Sequence, residues 1–208
     1  MLKQSAGKRT WTGIVAGLTL VLAISFMGVS SQAAQVEYEL DVEHTAVAFK
    51  VRHFFSKVPG RFDIFSGTLI LDEENLTNSS LTVEIDAASI NTNEEARDNH
   101  LRSDAFFDVE NHPTVTFVST GVRTDGKDKL NLDGNLTIRG ITKKVTLDVD
   151  VLGFGDFYNR RRAAFEATVT INRKDFNVSW NDFVEGGGAV LGEDVEITLN
   201  VEAKKAMN

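Results

Sequence analysis

Apolar and polar residues alternate one by one along most of the chain. Val195, Ile197, Leu199 and Val201 are interleaved with Glu196, Thr198, Asn200 and Glu202, and Val145, Leu147, Val149 and Val151 with Thr146, Asp148 and Asp150. Successive side chains of a strand point to opposite faces, so each segment predicts a strand with one dry face and one wet face. The same rhythm at 36–42, 46–54, 64–72, 80–87, 114–122, 129–139 and 162–172 makes about nine candidate strands. Parallel strands covered by helices on both faces read as continuous apolar runs instead, so the sheet is antiparallel.

Turn residues punctuate this pattern. Pro59-Gly60 suits the centre of a type II turn, and Asp125-Gly126 lies between two strand patterns as a hairpin signal. Both prolines, Pro59 and Pro113, are expected outside strand interiors. Gly134 interrupts the dry-face series Leu130, Leu132, Leu136 and Ile138, which predicts a bulge or bend there. Thr92-Asn93-Glu94-Glu95 fits a capping box and predicts a short helix over 93–102 with Thr92 as its cap. On that helix Asp98 and Arg102 are spaced for an i,i+4 pair, and Arg97 shares a face with Leu101. One helix in a long antiparallel chain is expected to cover a barrel end or to pack on its side.

The N-terminus departs from this rhythm. Lys3, Lys8 and Arg9 precede the almost wholly apolar stretch Trp11 to Val29, and Ser31-Gln32-Ala33 offers the small residues of a cleavage site. This reads as a cleavable signal peptide over 1–33. Thr12, Gly13, Gly17, Thr19 and Ser25 dilute the stretch, which argues against an uncleaved membrane anchor. The remaining 34–208 shows no repeat or linker and is expected to form one domain.

Charge changes the picture once that segment is removed. The whole chain of 208 residues carries 22 Lys+Arg against 30 Asp+Glu; losing Lys3, Lys8 and Arg9 leaves 19 against 30, a net charge of −11. Such a chain is ill suited to nucleic acid, which requires clustered Lys and Arg. The absence of cysteine excludes disulfides, thiolate metal sites and cysteine nucleophiles.

Candidate chemistry is sparse. Gly121 to Lys127 has the spacing of a phosphate-binding loop, but Asp128 and a strand follow it rather than Ser or Thr and a helix, so a hairpin turn is expected. His44, His53, His100 and His112 show no pair at metal-ligand spacing, and no nucleophile elbow occurs. Neither a catalytic nor a metal site is expected, and the run Gly186-Gly187-Gly188 reads as a loop. The dry face is more informative. One of the fourteen Phe and one of the two Trp fall in the signal segment, leaving thirteen Phe beside two Tyr and one Trp, aromatics mostly without a polar handle. An antiparallel sheet of this many strands avoids exposed edges by closing, and an eight-stranded barrel holds either packed side chains or one ligand. Small inward residues, Ala163, Ala167 and Gly134, would leave space in such a barrel, and its occupant would be apolar.

Several strings, in order, carry a resemblance. They are His44 to His53 with Val58-Pro59-Gly60-Arg61-Phe62; Ala88 to Thr92, Arg97 to Ser103 and Phe106-Phe107-Asp108; Pro113 to Phe117; Gly134 to Gly140 with Thr142 to Val145; Ile171 to Phe176; and Gly192 to Val195. Over essentially all of 36–203 the chain resembles the YceI family of bacterial periplasmic, lipocalin-like polyisoprenoid-binding proteins. The resemblance implies an all-β fold, an extended antiparallel eight-stranded barrel with one short helix, around a long apolar tunnel that holds a polyprenyl chain, isoprenoid quinone or other long-chain amphiphile.

On that basis Phe49, Val51, Phe62, Phe65, Leu69, Val83, Ile85, Phe117, Leu136, Ile138, Phe165 and Val169 are expected to line the tunnel, with Phe106 and Phe107 near an opening. Arg97 and His100 are candidates for meeting a polar head group, with an ordinary capping or salt-bridge role as the alternative. The expected function is a periplasmic, non-enzymatic lipid carrier without a cofactor besides the lipid, unanchored after signal cleavage and compatible with a homodimer. The competing expectation is a secreted stress-response or interaction module with a packed barrel and no ligand. Two departures stand out: Asn177 follows Phe176 where the family commonly has Gly, and Phe54-Phe55-Ser56 follows His53 in place of a Gly-containing turn.

Overall fold

The computed structural model describes residues 35–184 and 188–207; the predicted signal peptide, 1–33, lies outside them, as do Gly186 and Gly187. In chain order the strands are β1 (Val36–Leu40), β2 (Ala46–His53), β3 (Ser56–Phe62), β4 (Phe65–Leu71), β5 (Ser80–Asp86) and β6 (Ile90–Asn91), followed by the helix α1 (Glu95–Arg102). Then come β7 (Thr114–Thr124), β8 (Lys129–Ile138), β9 (Ile141–Phe157), β10 (Arg160–Asn172), β11 (Phe183–Val184), β12 (Gly188–Ala189) and β13 (Leu191–Lys205).

Every pairing is antiparallel, in the order β1-β4-β5-β7-β8-β9-β10-β13, and β13 returns to β1. β2 and β3 continue β1 and β4 beyond the bends at 41–45 and 63–64, and β13 is long enough to pair β2 through Leu191–Asn200 and β1 through Ala203–Lys205. Counted that way, the chain is a closed up-and-down barrel of eight strands. Closure gives the backbone of nearly every strand a partner on both sides. Its register carries the alternation inward: Val169 faces Ile197, Phe165 faces Val201, and Phe49 faces Ile197 from the other side.

Three expectations are corrected. Pro59-Gly60 is no turn but lies within β3, opposite Lys50 and Phe49; the hairpin turns at Phe54-Phe55, with Phe54 at φ 51°. A proline is tolerated there because β3 has an outer partner, β6, only at Arg61 and Phe62. Gly134 leaves no space unfilled: a Cβ on it would sit 2.2 Å from the ring of Phe117, which crosses over it from β7. The register shift lies opposite, between Ser119 and Gly121. Gly60 makes room in the same way for the ring of Phe49, 2.3 Å from where its Cβ would be.

The helix begins later than the capping box predicts. Glu94 caps it, its carboxylate accepting from the N–H groups of Ala96 at 3.2 Å and Arg97 at 2.6 Å. Thr92 instead donates to the buried Asp98 through its N–H, 2.9 Å, and its hydroxyl, 2.5 Å. With Asp98 so engaged, the expected Asp98–Arg102 pair does not form; Arg102 donates to the carbonyls of Ala88 and Ile90 at 2.7 and 2.9 Å.

The interior divides in two. Near the strand ends 36, 71, 157 and 205, the buried residues Tyr38, Leu40, Leu69, Leu71, Ala163 and Ala203 form one cluster, with Phe154 and Phe165 packed against it. A second cluster, including Ile85, Phe106, Phe117, Leu136, Ile138, Ile171 and Phe176, runs toward the other end. There α1 and the turn Arg173–Phe176 sit, and Asn177 takes the left-handed conformation at φ 58°, which Asn tolerates almost as glycine does.

Ion pairs surround the first end. Arg161 holds Glu73 with two hydrogen bonds, 3.0 and 2.5 Å, and Tyr38 donates to the same carboxylate at 2.7 Å. Arg162 bonds both Asp41, 2.7 Å, and Glu202, while Lys204 lies 3.6 Å from Asp41. The Arg161 hydrogen bond pulls the Glu73 carboxyl below its ordinary value, and burial pushes the Tyr38 phenol up. Burial works to raise Asp41, yet the hydrogen bonds from Arg162 and His44 and the charge of Lys204 outweigh it and hold the carboxyl low.

Candidate functional site

A cavity of about 440 Å³ occupies the barrel between the strands, α1 and the segment 173–180. Its wall is built by the dry face of the alternating strands. β2 and β3 contribute Val47, Phe49, Val51, Val58 and Phe62; β5 contributes Leu81, Val83 and Ile85; β13 contributes Val195, Ile197, Leu199 and Val201. Phe49, Val51, Phe62, Val83, Val169 and the four β13 residues point inward yet are only half-buried, because no protein atom fills the space before them.

At the helix end aromatic rings narrow the cavity. Phe62 packs on Phe49 at 5.9 Å between ring centres and edge-on against Phe107 at 5.8 Å. His100, Phe106 and Trp180 form a triangle with ring centres 5.0 to 5.1 Å apart. Arg97, His100 and Trp180 line the cavity and are also exposed, so the cavity meets the surface beside them.

Among the residues predicted from the sequence, Phe49, Val51, Phe62, Val83, Ile85, Phe106, Phe107, Phe117, Leu136, Ile138 and Val169 lie on the cavity wall, as do Arg97 and His100. Phe65, Leu69 and Phe165 do not. They face inward where the barrel is filled: Leu69 belongs to the buried cluster around Tyr38, Phe65 packs against both clusters, and Phe165 meets Phe154 edge-on at 6.1 Å. Alternation predicts the face of a strand, but not the height at which the barrel is packed solid.

Beyond Arg97 and His100, the sequence reading missed the other polar residues of the wall. Thr92 lines the cavity and accepts from Arg97 Nε at 2.7 Å through its hydroxyl and from Nη2 at 2.8 Å through its carbonyl. His53 lines it from β2. Arg173, the first residue of the turn after β10, is 5% exposed and also on the wall. Burial lowers the affinity of its guanidinium for a proton, against the opposing charge of Glu193. A basic residue just past a strand end reads as solvated, and only the fold turns this one inward.

A metal has one grouping to consider among the described residues: Asp41, Glu43 and His44, whose ligand atoms lie within 4.8 Å of one another. Asp41 is already bonded to Arg162 at 2.7 Å and lies 3.2 Å from His44, so the group acts as an ion-pair cluster outside the cavity wall.

The wall can enclose an apolar chain and offers cationic donors at one end. Residues 38–203 match the family described as the YceI-like domain. A UPF0312 protein of Pectobacterium atrosepticum is 39% identical over 189 residues, covering 89% of this chain and 95% of the relative. The crystal structure of BcnA from Burkholderia cenocepacia superposes with a TM-score of 0.71 at 24% identity, over 78% of this chain and 98% of that one. A polyisoprenoid binding domain from Saccharophagus degradans, implicated in plant cell wall breakdown, shares the fold with a TM-score of 0.61 at 16% identity, over 83% and 100% of the two chains. The strand order, the closed barrel and these matches agree: the chain belongs to the YceI-like domain family.

Proposed function

We propose that this protein binds the chain of a long amphiphilic lipid, an isoprenoid, an isoprenoid quinone or a similar molecule, inside its barrel and carries or sequesters it after export from the cytoplasm. The observation that carries the reading is the cavity of about 440 Å³ with a wall of aliphatic and aromatic side chains, many of them inward-facing yet only half-buried. A solidly packed barrel, the competing expectation, has no such volume. Each buried methylene is worth about 0.8 kcal/mol, so a chain of a dozen gains on the order of 10 kcal/mol without a specific polar contact. The polyisoprenoid binding domain with the same fold supports this choice of ligand class. Export rests on the basic and apolar segment ending at Ser31-Gln32-Ala33. Binding rather than catalysis is part of the proposal.

The test is organic extraction of protein purified from its own host, followed by mass spectrometry. One long-chain lipid per protein is the expected result. Lipid-free protein that also fails to take up a quinone or polyprenol in solution overturns the reading. N-terminal sequencing of the same sample is expected to begin at Ala34; an intact Met1 overturns the cleavage of the signal segment.

A further inference from the structure

The guanidinium of Arg173 is held by three backbone carbonyls. Its Nε donates to Gly192 at 2.8 Å, and its Nη1 donates to Val178 at 2.6 Å and Trp180 at 2.8 Å. Its Nη2 is buried and has no hydrogen-bond partner among the described residues, although Arg173, 5% exposed, lies on the cavity wall. Arginine stays protonated even when buried, and a buried charged donor left unpaired is costly.

No carboxylate touches this charge among the described residues. The acid whose field reaches it, Glu193, is itself hydrogen-bonded to Lys174 at 2.5 Å and Asn172 at 3.3 Å. Arg160 and Arg162 also keep an unpartnered Nε, but both are ion-paired, to Glu39 and to Asp41 with Glu202. Arg173 differs in lacking the counter-charge itself.

The cavity repeats the imbalance. Its described lining residues include Arg97 and Arg173 but no Asp or Glu, in a chain where acids outnumber bases 30 to 22. A low-dielectric pocket concentrates the field of such charges and selects an anion. A guanidinium held rigidly on the cavity wall with one N–H edge unpartnered is suited to a carboxylate or phosphate oxygen that approaches from the cavity.

We propose that Arg173 is the seat of an anionic oxygen head group, a carboxylate or a phosphate ester, on the lipid whose chain fills the cavity. The inference rests on the chain-binding reading above and adds the charge of the ligand and the atom that meets it. Arg97 supplies a second positive charge on the same wall, nearer the surface.

The test compares four probes on delipidated protein by calorimetry or competition with a fluorescent lipid: oleic acid against oleyl alcohol, and farnesyl phosphate against farnesol. In the wild-type protein at least one charged probe is expected to bind tenfold or more tighter than its alcohol, and the arm that shows it separates carboxylate from phosphate. Arg173→Met is expected to bring that ratio to within twofold, whereas Arg123→Met, which removes the same charge from the outer surface, preserves it. Equal binding of acid and alcohol in the wild type leaves chain binding standing and overturns the head-group assignment. Discrimination that survives in a folded Arg173→Met overturns it too. If that variant does not fold, because three carbonyls lose their donor, the wild-type ratios still decide. If none of the four probes binds, the chain-binding reading falls and this one with it.

Discussion

The two ends of the barrel obey the same alternation and yet do opposite things with it. At the end formed by residues 36–40, 69–73 and 160–162, inward side chains fill the interior, and Arg160, Arg161 and Arg162 each have at least one carboxylate. Toward the end formed by α1 and 173–180, part of the inward side chains, among them Phe49, Val51, Phe62 and Val169, keep surface accessible, and Arg97 and Arg173 have no carboxylate among the described residues. Side-chain size explains the first contrast: Tyr38, Phe154 and Phe165 fit against Ala163 and Ala203, whereas Val51, Val58 and Val195, neighbours in register on β2, β3 and β13, are too short to fill the space before them. The second contrast is one of burial: Arg102 and Arg139 also lack a carboxylate among the described residues, but Arg173 does so at 5% exposure on the cavity wall, where an unpaired charge is costly.

The sharpest way to break this comparison is to place a carboxylate at each end. Ala163→Glu, at a residue 1% exposed beside Ala203 and Phe154, buries an unpaired charge and overfills the cluster; a loss above about 4 kcal/mol, hence no folded protein, is expected. Val51→Glu on the cavity wall is expected to fold and to lose lipid uptake. Circular dichroism and lipid binding read the pair, and a folded Ala163→Glu would show that the first end is not packed.

A smaller effect separates truncations. Leu71→Ala, at a residue 1% exposed, is expected to cost about 3 kcal/mol, and Ile197→Ala, whose side chain is half-buried before the cavity, about 1 kcal/mol or less. Urea unfolding of lipid-free protein measures both, and equal losses would contradict the division of the interior.

The smallest effect is in pH. Glu73 and Asp41 have carboxyls held below their ordinary values of 4.5 and 3.8, so the folded state binds fewer protons than the unfolded one. Their stabilisation is complete above those values and is lost as the pH falls through the lower, folded ones. The melting temperature is expected to stay level from neutral pH to about 5 and then to fall, and Glu73→Gln should flatten that fall while lowering Tm at neutral pH by roughly 3 °C. An unchanged acid limb would remove Glu73 from the account.

Much of the site was legible before folding. Phe49, Val51, Phe62, Val83 and Val169 fall on the wall because a two-residue period assigns them to one face, and the barrel has only one inside. Phe65, Leu69 and Phe165 share that face but sit where larger neighbours close the interior. Arg173 was illegible for a different reason: the direction of its side chain is set by the carbonyls of Val178, Trp180 and Gly192, the last of them 19 residues away. The turn at Phe54-Phe55 was hidden because Pro59-Gly60 is the better local turn signal, and pairing of β3 with β2 overrides it.

By itself the sequence determined most of the strands and their dry faces, the short helix and the acidic charge, since these depend on neighbours a few residues apart. Only the tertiary structure decided that the strands close through β13 and β1, that one end is filled while the other holds a cavity, and that an arginine with no carboxylate on it among the described residues lies on the wall of that cavity. Packing volume and charge balance are properties of residues brought together from distant parts of the chain, and no local pattern carries them.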